Sequence, residues 1–201
     1  MAMVDEGRRK ALSTLAGSAL GLILPARLAW AGADEQDFWA RPRRLRLYRP
    51  SSREMVDEVY WADGKISAEG YVRISHLLRD VQANQSVYMD PRLLDLMCAI
   101  QGYMAFYGFK QPLSINSGYR SLATNGRTEG AAKNSMHVKG RAVDFTMPGV
   151  PSSYLGQLAS HYQGGGVGFY PAAGFTHLDT GSVRYWGDGA SRRPKIAAQP
   201  R

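Results

Sequence analysis

One cysteine, Cys98, serves a chain of 201 residues. No intramolecular disulfide can form, so the fold has to be held by a packed core or by a bound metal. A chain of this length buries enough apolar surface for one domain without covalent staples. Cys98 lies in PRLLDLMCAIQGYMAFYG, where apolar residues recur at helical spacing, and reads as a small core residue rather than a nucleophile.

The constraint matters more because the chain opens like an exported protein. Arg8-Arg9-Lys10 precede an apolar run from Ala11 to Leu24 that stops at Pro25 and is followed by Ala29-Trp30-Ala31. That run is shorter than the roughly 20 apolar residues of a membrane span, and its small-residue end fits signal peptidase. The arginine pair resembles a twin-arginine export signal. Residues 1–31 are therefore expected to be a signal peptide, 32–190 a single domain, and 191–201 a disordered tail, with the mature chain in the periplasm and holding no membrane span. An uncleaved anchor is the alternative.

Removal of residues 1–31 would take four basic and two acidic residues and lower the formal charge from +8 to +6. A basic exported protein suits an anionic polymer such as a cell wall, and nucleic acid is a poor partner there. A basic surface also serves solubility, so charge alone does not choose.

RLRLYR and REMVDEVYW alternate as strands of an antiparallel hairpin, and the second ends at the turn pair Asp63-Gly64. Tyr71, Ile74, Leu77, Leu78 and Val81 fit one face of a helix for which Ser67 is a candidate N-cap. Asp90-Pro91 starts a helix expected to run to about Tyr107, burying Leu93, Leu94, Met97, Ile100 and Met104. PLSINSG reads as a strand, TNGRTEGAAKN as a mobile loop or frayed helix, RAVDFTM as a strand and PSSYLGQLASHY as a helix. GGGVGFYP leads into a strand, and GFTHLDTG and VRYW read as two more. This order predicts an α+β fold with a small, mainly antiparallel sheet packed with helices.

Strand parity then selects chemistry. In RAVDF, Val143 and Phe145 share the core face, and Asp144 points the other way, into a cleft or solvent. In GFTHLDTG, Phe175, His177 and Asp179 share one face, with Thr176 and Leu178 behind. His137, Asp144 and His177 form a candidate set of two imidazoles and a carboxylate, which suits one Zn2+ ion with a fourth position open for water. Taken singly, each of the three has an ordinary solvent or capping reading. His76 and His161 have no partner at metal spacing; the second reads as a helix C-terminal residue.

Ser135 to Asp144, SMHVKGRAVD, satisfies S-x-H-x-x-G-x-A-x-D and so resembles the zinc peptidases that include D-alanyl-D-alanine carboxypeptidases and dipeptidases, phage endolysins and LAS-type murein endopeptidases. With SGYRS upstream, GFTHLDTG downstream and the RRK-type start, the chain is most similar in pattern to the murein endopeptidase K group. The resemblance implies a LAS-type fold, one Zn2+ held by His137, Asp144 and His177, and hydrolysis of peptide cross-links in peptidoglycan. It implies a bracing role for Ser135 and a turn at Gly140. Arg120 would hold a substrate carboxylate or a developing oxyanion. Relatives often place a glutamate three residues, or a histidine two residues, before the last ligand, as base; here those positions hold Gly174 and Phe175. Asp179 is left as working base, or as the residue that orients His177. Tyr119, Phe169, Tyr170, Tyr185 and Trp186 are candidates to line the cleft, Tyr119 as a substrate contact beside Arg120. The alternatives are a zinc-containing wall-binding protein without turnover, and a carboxypeptidase acting on stem peptides.

Overall fold

The alternating segments pair as strands of one eight-stranded sheet, in the order β3-β2-β1-β4-β5-β7-β6-β8. The computed structural model describes residues 40–187; the expected signal peptide and tail lie outside the described residues. The strands are β1 (Arg43–Arg49), β2 (Glu54–Ala62), β3 (Lys65–Ile66), β4 (Leu113–Ser117), β5 (Ala142–Thr146), β6 (Gly166–Tyr170), β7 (Phe175–Asp179) and β8 (Arg184–Gly187). The helices are α1 (Ala68–Leu77), α2 (Pro91–Phe106), α3 (Leu122–Arg127) and α4 (Ser152–His161), and all belong to one compact unit. The β1/β4 and β6/β8 pairs are parallel and the other neighbours antiparallel. The expected α+β class and mainly antiparallel sheet are what the chain forms, but with eight strands the sheet is larger than the small one expected.

Local chemistry accounts for the boundaries. Asp63 and Gly64 both take positive φ, 52° and 75°, the geometry of a two-residue hairpin turn, and this folds the short β3 back onto β2. Asp90 caps α2 by accepting the Arg92 N–H at 2.9 Å, with Pro91 in the first helical position. The predicted stripe of Leu93, Leu94, Met97, Ile100 and Met104 is buried, as is Cys98, whose thiol donates to the Arg44 carbonyl. Ser67 holds the N-cap position of α1 without a side-chain capping bond. Ser121 does cap: its Oγ accepts the Thr124 N–H at 3.2 Å, so the segment read as a loop or frayed helix begins instead as α3.

The two faces of β5, β6 and β7 are used differently. Thr176 donates its hydroxyl to the Ser152 carbonyl at 2.7 Å, and Gly156 lies against Phe169, so α4 covers the face carrying Thr176, Leu178, Val167 and Phe169. The opposite face carries Asp144 and His177. A 3₁₀ turn, Met136–Lys139, and the loop leading into α3 lie over it. Asp144 is consequently only 6% exposed, where parity alone pointed it into a cleft or solvent.

No helix among the described residues is long and apolar enough to cross a membrane.

Candidate metal centre

His137 is delivered by a turn that closes on itself. Ser135 Oγ accepts the His137 N–H at 3.3 Å and starts the 3₁₀ turn. Gly140 ends it in the left-handed region at φ 65°, and the Gly140 carbonyl accepts the Asp90 N–H at 2.9 Å. A Cβ at Gly140 would stand 2.9 Å from Val87 Cγ2 and 3.3 Å from the Tyr88 carbonyl oxygen, so both space and φ select glycine. His137 Nδ1 lies 2.6 Å from the Gly118 carbonyl oxygen. A carbonyl only accepts, so Nδ1 carries the proton and Nε2 presents a lone pair.

Asp144 and His177 are placed by sheet register, as direct partners across β5 and β7. Asp144 Oδ1 lies 2.8 Å from His177 Nδ1 and 3.3 Å from His137 Nε2, and the two ring nitrogens are 3.2 Å apart. His177 Nε2 is 3.0 Å from Asp179 Oδ2; donating its proton there leaves Nδ1 as the inward lone pair. His137, Asp144 and His177 each offer one atom, all within 4.8 Å of one another, a group able to hold a metal ion. Two lone pairs and a carboxylate oxygen that face one another at these distances call for positive charge between them.

The electrostatics show the same demand. Burial opposes ionisation of Asp144, but the adjoining His137 and His177 imidazoles outweigh it and hold the carboxyl well below its usual range. Burial likewise opposes a charged His177, and Asp144 and Asp179 reverse that and raise its pKa. The fit to a cation rests on the donor set itself: two imidazoles, each pinned through its far nitrogen, and one carboxylate.

Arg120 enters from the loop between β4 and α3. Its Nη2 donates to Asp144 Oδ2 at 2.7 Å and its Nε to Ser117 Oγ at 2.8 Å, while its backbone N–H donates to the His137 carbonyl at 3.2 Å. It is thus tied to the outer oxygen of the carboxylate whose other oxygen faces the imidazoles. Tyr119, next to it, is half-buried and anchored by its N–H to the Leu78 carbonyl at 2.7 Å.

Asp179 stands on the far side of the His177 ring from Asp144 and His137. It is 0% exposed and accepts from the Gly166 N–H at 3.2 Å, the Gly181 N–H at 2.8 Å and Arg184. Burial would raise its pKa, but His177, Arg184 and Gly181 together hold it well below the usual range. A carboxylate so engaged, and behind the ring, is placed to orient the imidazole. Of the two roles open to Asp179, base or orienting residue, this geometry favours the second, because the His177 ring stands between Asp179 and the other two candidate ligands.

The aromatic candidates divide by strand parity. Trp186 packs against His177, with ring centroids 5.1 Å apart, and donates its indole N–H to Tyr170 Oη at 2.8 Å. Phe169 packs on Gly156, and Tyr185 donates its hydroxyl to the Ser160 carbonyl at 3.1 Å, so both point toward α4 rather than the site. His76 and His161 are exposed, on α1 and at the end of α4, remote in sequence and element from this cluster.

Two supports escaped the sequence reading. Asp80 Oδ2 accepts the Ser121 N–H at 2.8 Å and Oδ1 accepts the Gln82 and Ala83 N–H groups at 3.0 and 3.1 Å. It anchors the loop that carries Arg120. Burial opposes its ionisation, but hydrogen bonds from Thr124 and Ser121 prevail and bring its pKa down to about 2. The second is Asp90, whose Oδ2 accepts from Thr180 Oγ1 at 2.6 Å and from Arg141 Nε at 3.3 Å, joining the start of α2 to the ends of both ligand-bearing segments. An aspartate before Pro91 announces a helix cap, and nothing in its spacing announces the second task.

A family model described as peptidoglycan L,D-endopeptidase MepK matches residues 38–186. The peptidoglycan L,D-endopeptidase MepK of Escherichia coli (strain K12) is 36% identical over 186 residues, which cover 90% of this chain and 98% of that protein. The protein of the same name from Shigella flexneri matches to the same extent. The probable peptidoglycan L,D-endopeptidase MepK of Haemophilus influenzae is 35% identical over 192 residues, 92% of this chain and 98% of its own. With the match running through every element that builds the site, from β1 to β8, the chain belongs to the MepK family of peptidoglycan L,D-endopeptidases.

Proposed function

We propose that this chain is a zinc-dependent peptidoglycan endopeptidase of L,D type, exported to the periplasm by the twin-arginine route, that hydrolyses peptide cross-links between stem peptides during wall remodelling. The observation that carries the reading is the convergence of His137 Nε2, Asp144 Oδ1 and His177 Nδ1, all within 4.8 Å, in a member of this family.

Under this reading those three atoms hold one Zn2+, which when bound supplies Lewis acidity toward water and toward the scissile carbonyl. Gly118 and Asp179 fix the tautomers of the two imidazoles, so both lone pairs point inward before the ion arrives. Ser135 and Gly140 hold the turn that carries His137. Arg120 keeps Asp144 aimed through Oδ2 and Ser117, and its remaining guanidinium N–H groups are available to a substrate carboxylate or to the oxyanion formed at the attacked carbonyl. Tyr119 contacts the stem peptide beside it. Hydrolysis adds one water across the scissile amide: the C–N bond breaks, the acyl side leaves as a carboxylate and the other side as an amine. The basic balance of the mature chain draws in the carboxylate-rich stem peptides.

The test is a digest of purified muropeptides with the zinc-loaded protein. Conversion of 3-3 cross-linked dimers to monomers, abolished in His137→Ala, is the expected result. Binding without product would identify a non-catalytic wall-binding protein, and release of a single terminal amino acid from monomeric stem peptides a carboxypeptidase; either would overturn the endopeptidase reading.

A further inference from the structure

Among the described residues β8 is an edge strand paired only with β6, yet its side chains reach β7 on the far side of that neighbour. The reason lies in β6. In register, Gly166 is level with Arg184, and Gly168 is level with both His177 and Trp186. On the face carrying the candidate ligands, β6 therefore offers no side chain at these two positions. A Cβ at Gly166 would come 2.5 Å from Arg184 Nη1, and one at Gly168 would come 2.8 Å from the Trp186 ring. Through this gap Arg184 grips Asp179 with both ends of its fork, Nη2 to Oδ2 at 2.7 Å and Nη1 to Oδ1 at 3.1 Å. Nη1 also donates to the Ser182 carbonyl at 3.0 Å, and the guanidinium carbon lies 4.8 Å from the centre of the Trp186 ring.

From this we infer that Arg184 is a positioning residue for the metal centre: held over Trp186, it sets the plane of the Asp179 carboxylate so that Oδ2 takes the His177 Nε2 proton and Nδ1 faces the ion. The inference rests on the reading of His177 as a ligand. A bidentate arginine fixes both oxygens of a carboxylate, which a single donor does not. Residues that orient a metal-bound imidazole typically cost 10–100-fold in metal affinity when lost. An arginine at a surface ordinarily contributes little through an ion pair. Here the guanidinium is 42% exposed but its partner carboxylate is 0% exposed, so loss of the fork is felt inside the site.

The experiment is a zinc titration of the full chain against a competing chromophoric chelator, for wild type, Arg184→Ala and Arg184→Lys, with the tautomer of His177 read from imidazole nitrogen shifts in the metal-free protein. Expected is an affinity loss of about 10–100-fold in Arg184→Ala, partial recovery in Arg184→Lys, which keeps the charge on a single nitrogen and not the fork, and a mixed tautomer at His177 in the alanine variant. Zinc affinity within twofold of wild type in Arg184→Ala, with the tautomer unchanged, overturns the inference while leaving the metal reading intact. Wild-type protein that binds no zinc overturns both. Should Arg184→Ala unfold, Arg184→Gln is judged by the same criteria.

Discussion

The β1–β2 hairpin and the β5–β7 pair are both antiparallel two-strand units carrying acidic groups beside basic ones, and they treat charge in opposite ways. In the hairpin, Asp57 meets Arg44 at 2.6 Å and Arg46 at 3.4 Å; both arginines are exposed, Arg44 by 57%, and Asp57 is half-buried at 33%. In β5–β7, the Asp144 side chain is 9% exposed and that of Asp179 0%. Exposed pairs gain little from solvent-screened attraction. Sequestered carboxylates carry a desolvation cost that a stable core alone would avoid by using apolar residues. The contrast teaches that the carboxylates of β5 and β7 are held in the interior by specific partners, Arg120 and His177 for Asp144 and Arg184 and His177 for Asp179, at the candidate metal centre.

Removing a proposed ligand breaks the comparison most severely. His137→Ala, or Asp144→Asn, is expected to lower muropeptide cleavage at least about a thousandfold, since the ion contributes several kcal/mol of charge stabilisation, and to abolish stoichiometric zinc in metal analysis. Arg120→Lys, which keeps the charge and loses the fork shared by Ser117 and Asp144, is expected to lower kcat by about 10²–10³, measured in the same digest. Asp179→Asn sharpens the distinction between orienting and proton-taking roles. Zinc affinity should fall about 10–100-fold; loss of turnover with unchanged affinity would identify Asp179 as the base instead.

Asp80→Asn probes a buried carboxylate away from the ion and should cost about 1–3 kcal/mol in chemical denaturation near neutral pH. Because the folded pKa of Asp80 is depressed to about 2, below the roughly 3.9 of an unfolded aspartate, its contribution is present above pH 4. It is lost as pH falls through about 2, so the gap between variant and wild type should close over that window. Asp57→Ala, in the exposed hairpin, should leave the melting temperature essentially unchanged.

Much of this was legible in the residues. Asp90-Pro91 and the apolar stripe behind it announced α2, because capping and helical periodicity are local properties. The parity of His177 and Asp179 was equally legible, because side chains alternate along any strand. The burial of Asp144 was not, since the covering turn and the Arg120 loop come from elsewhere in the chain. The segment after Ser121 was legible in part: its polar, glycine-containing composition announces the non-helical stretch 128–134 but not the Ser121 cap that starts α3. Phe169 and Tyr185 looked like cleft residues until register turned them toward α4.

By itself, the sequence determined which groups are available: SMHVKGRAVD and GFTHLDTG hold two imidazoles and two carboxylates, with Asp144, His177 and Asp179 on strands whose parity aims them, and one cysteine rules out a disulfide frame. Tertiary structure alone decided how they are shared out. Pairing Asp144 with His177 across β5 and β7 put Nδ1 inward and Nε2 toward Asp179, and two glycines in β6 opened the way for Arg184. The reason is that a ring nitrogen's role is set by the partner of the other nitrogen, and those partners lie on strands that meet only once the sheet has formed.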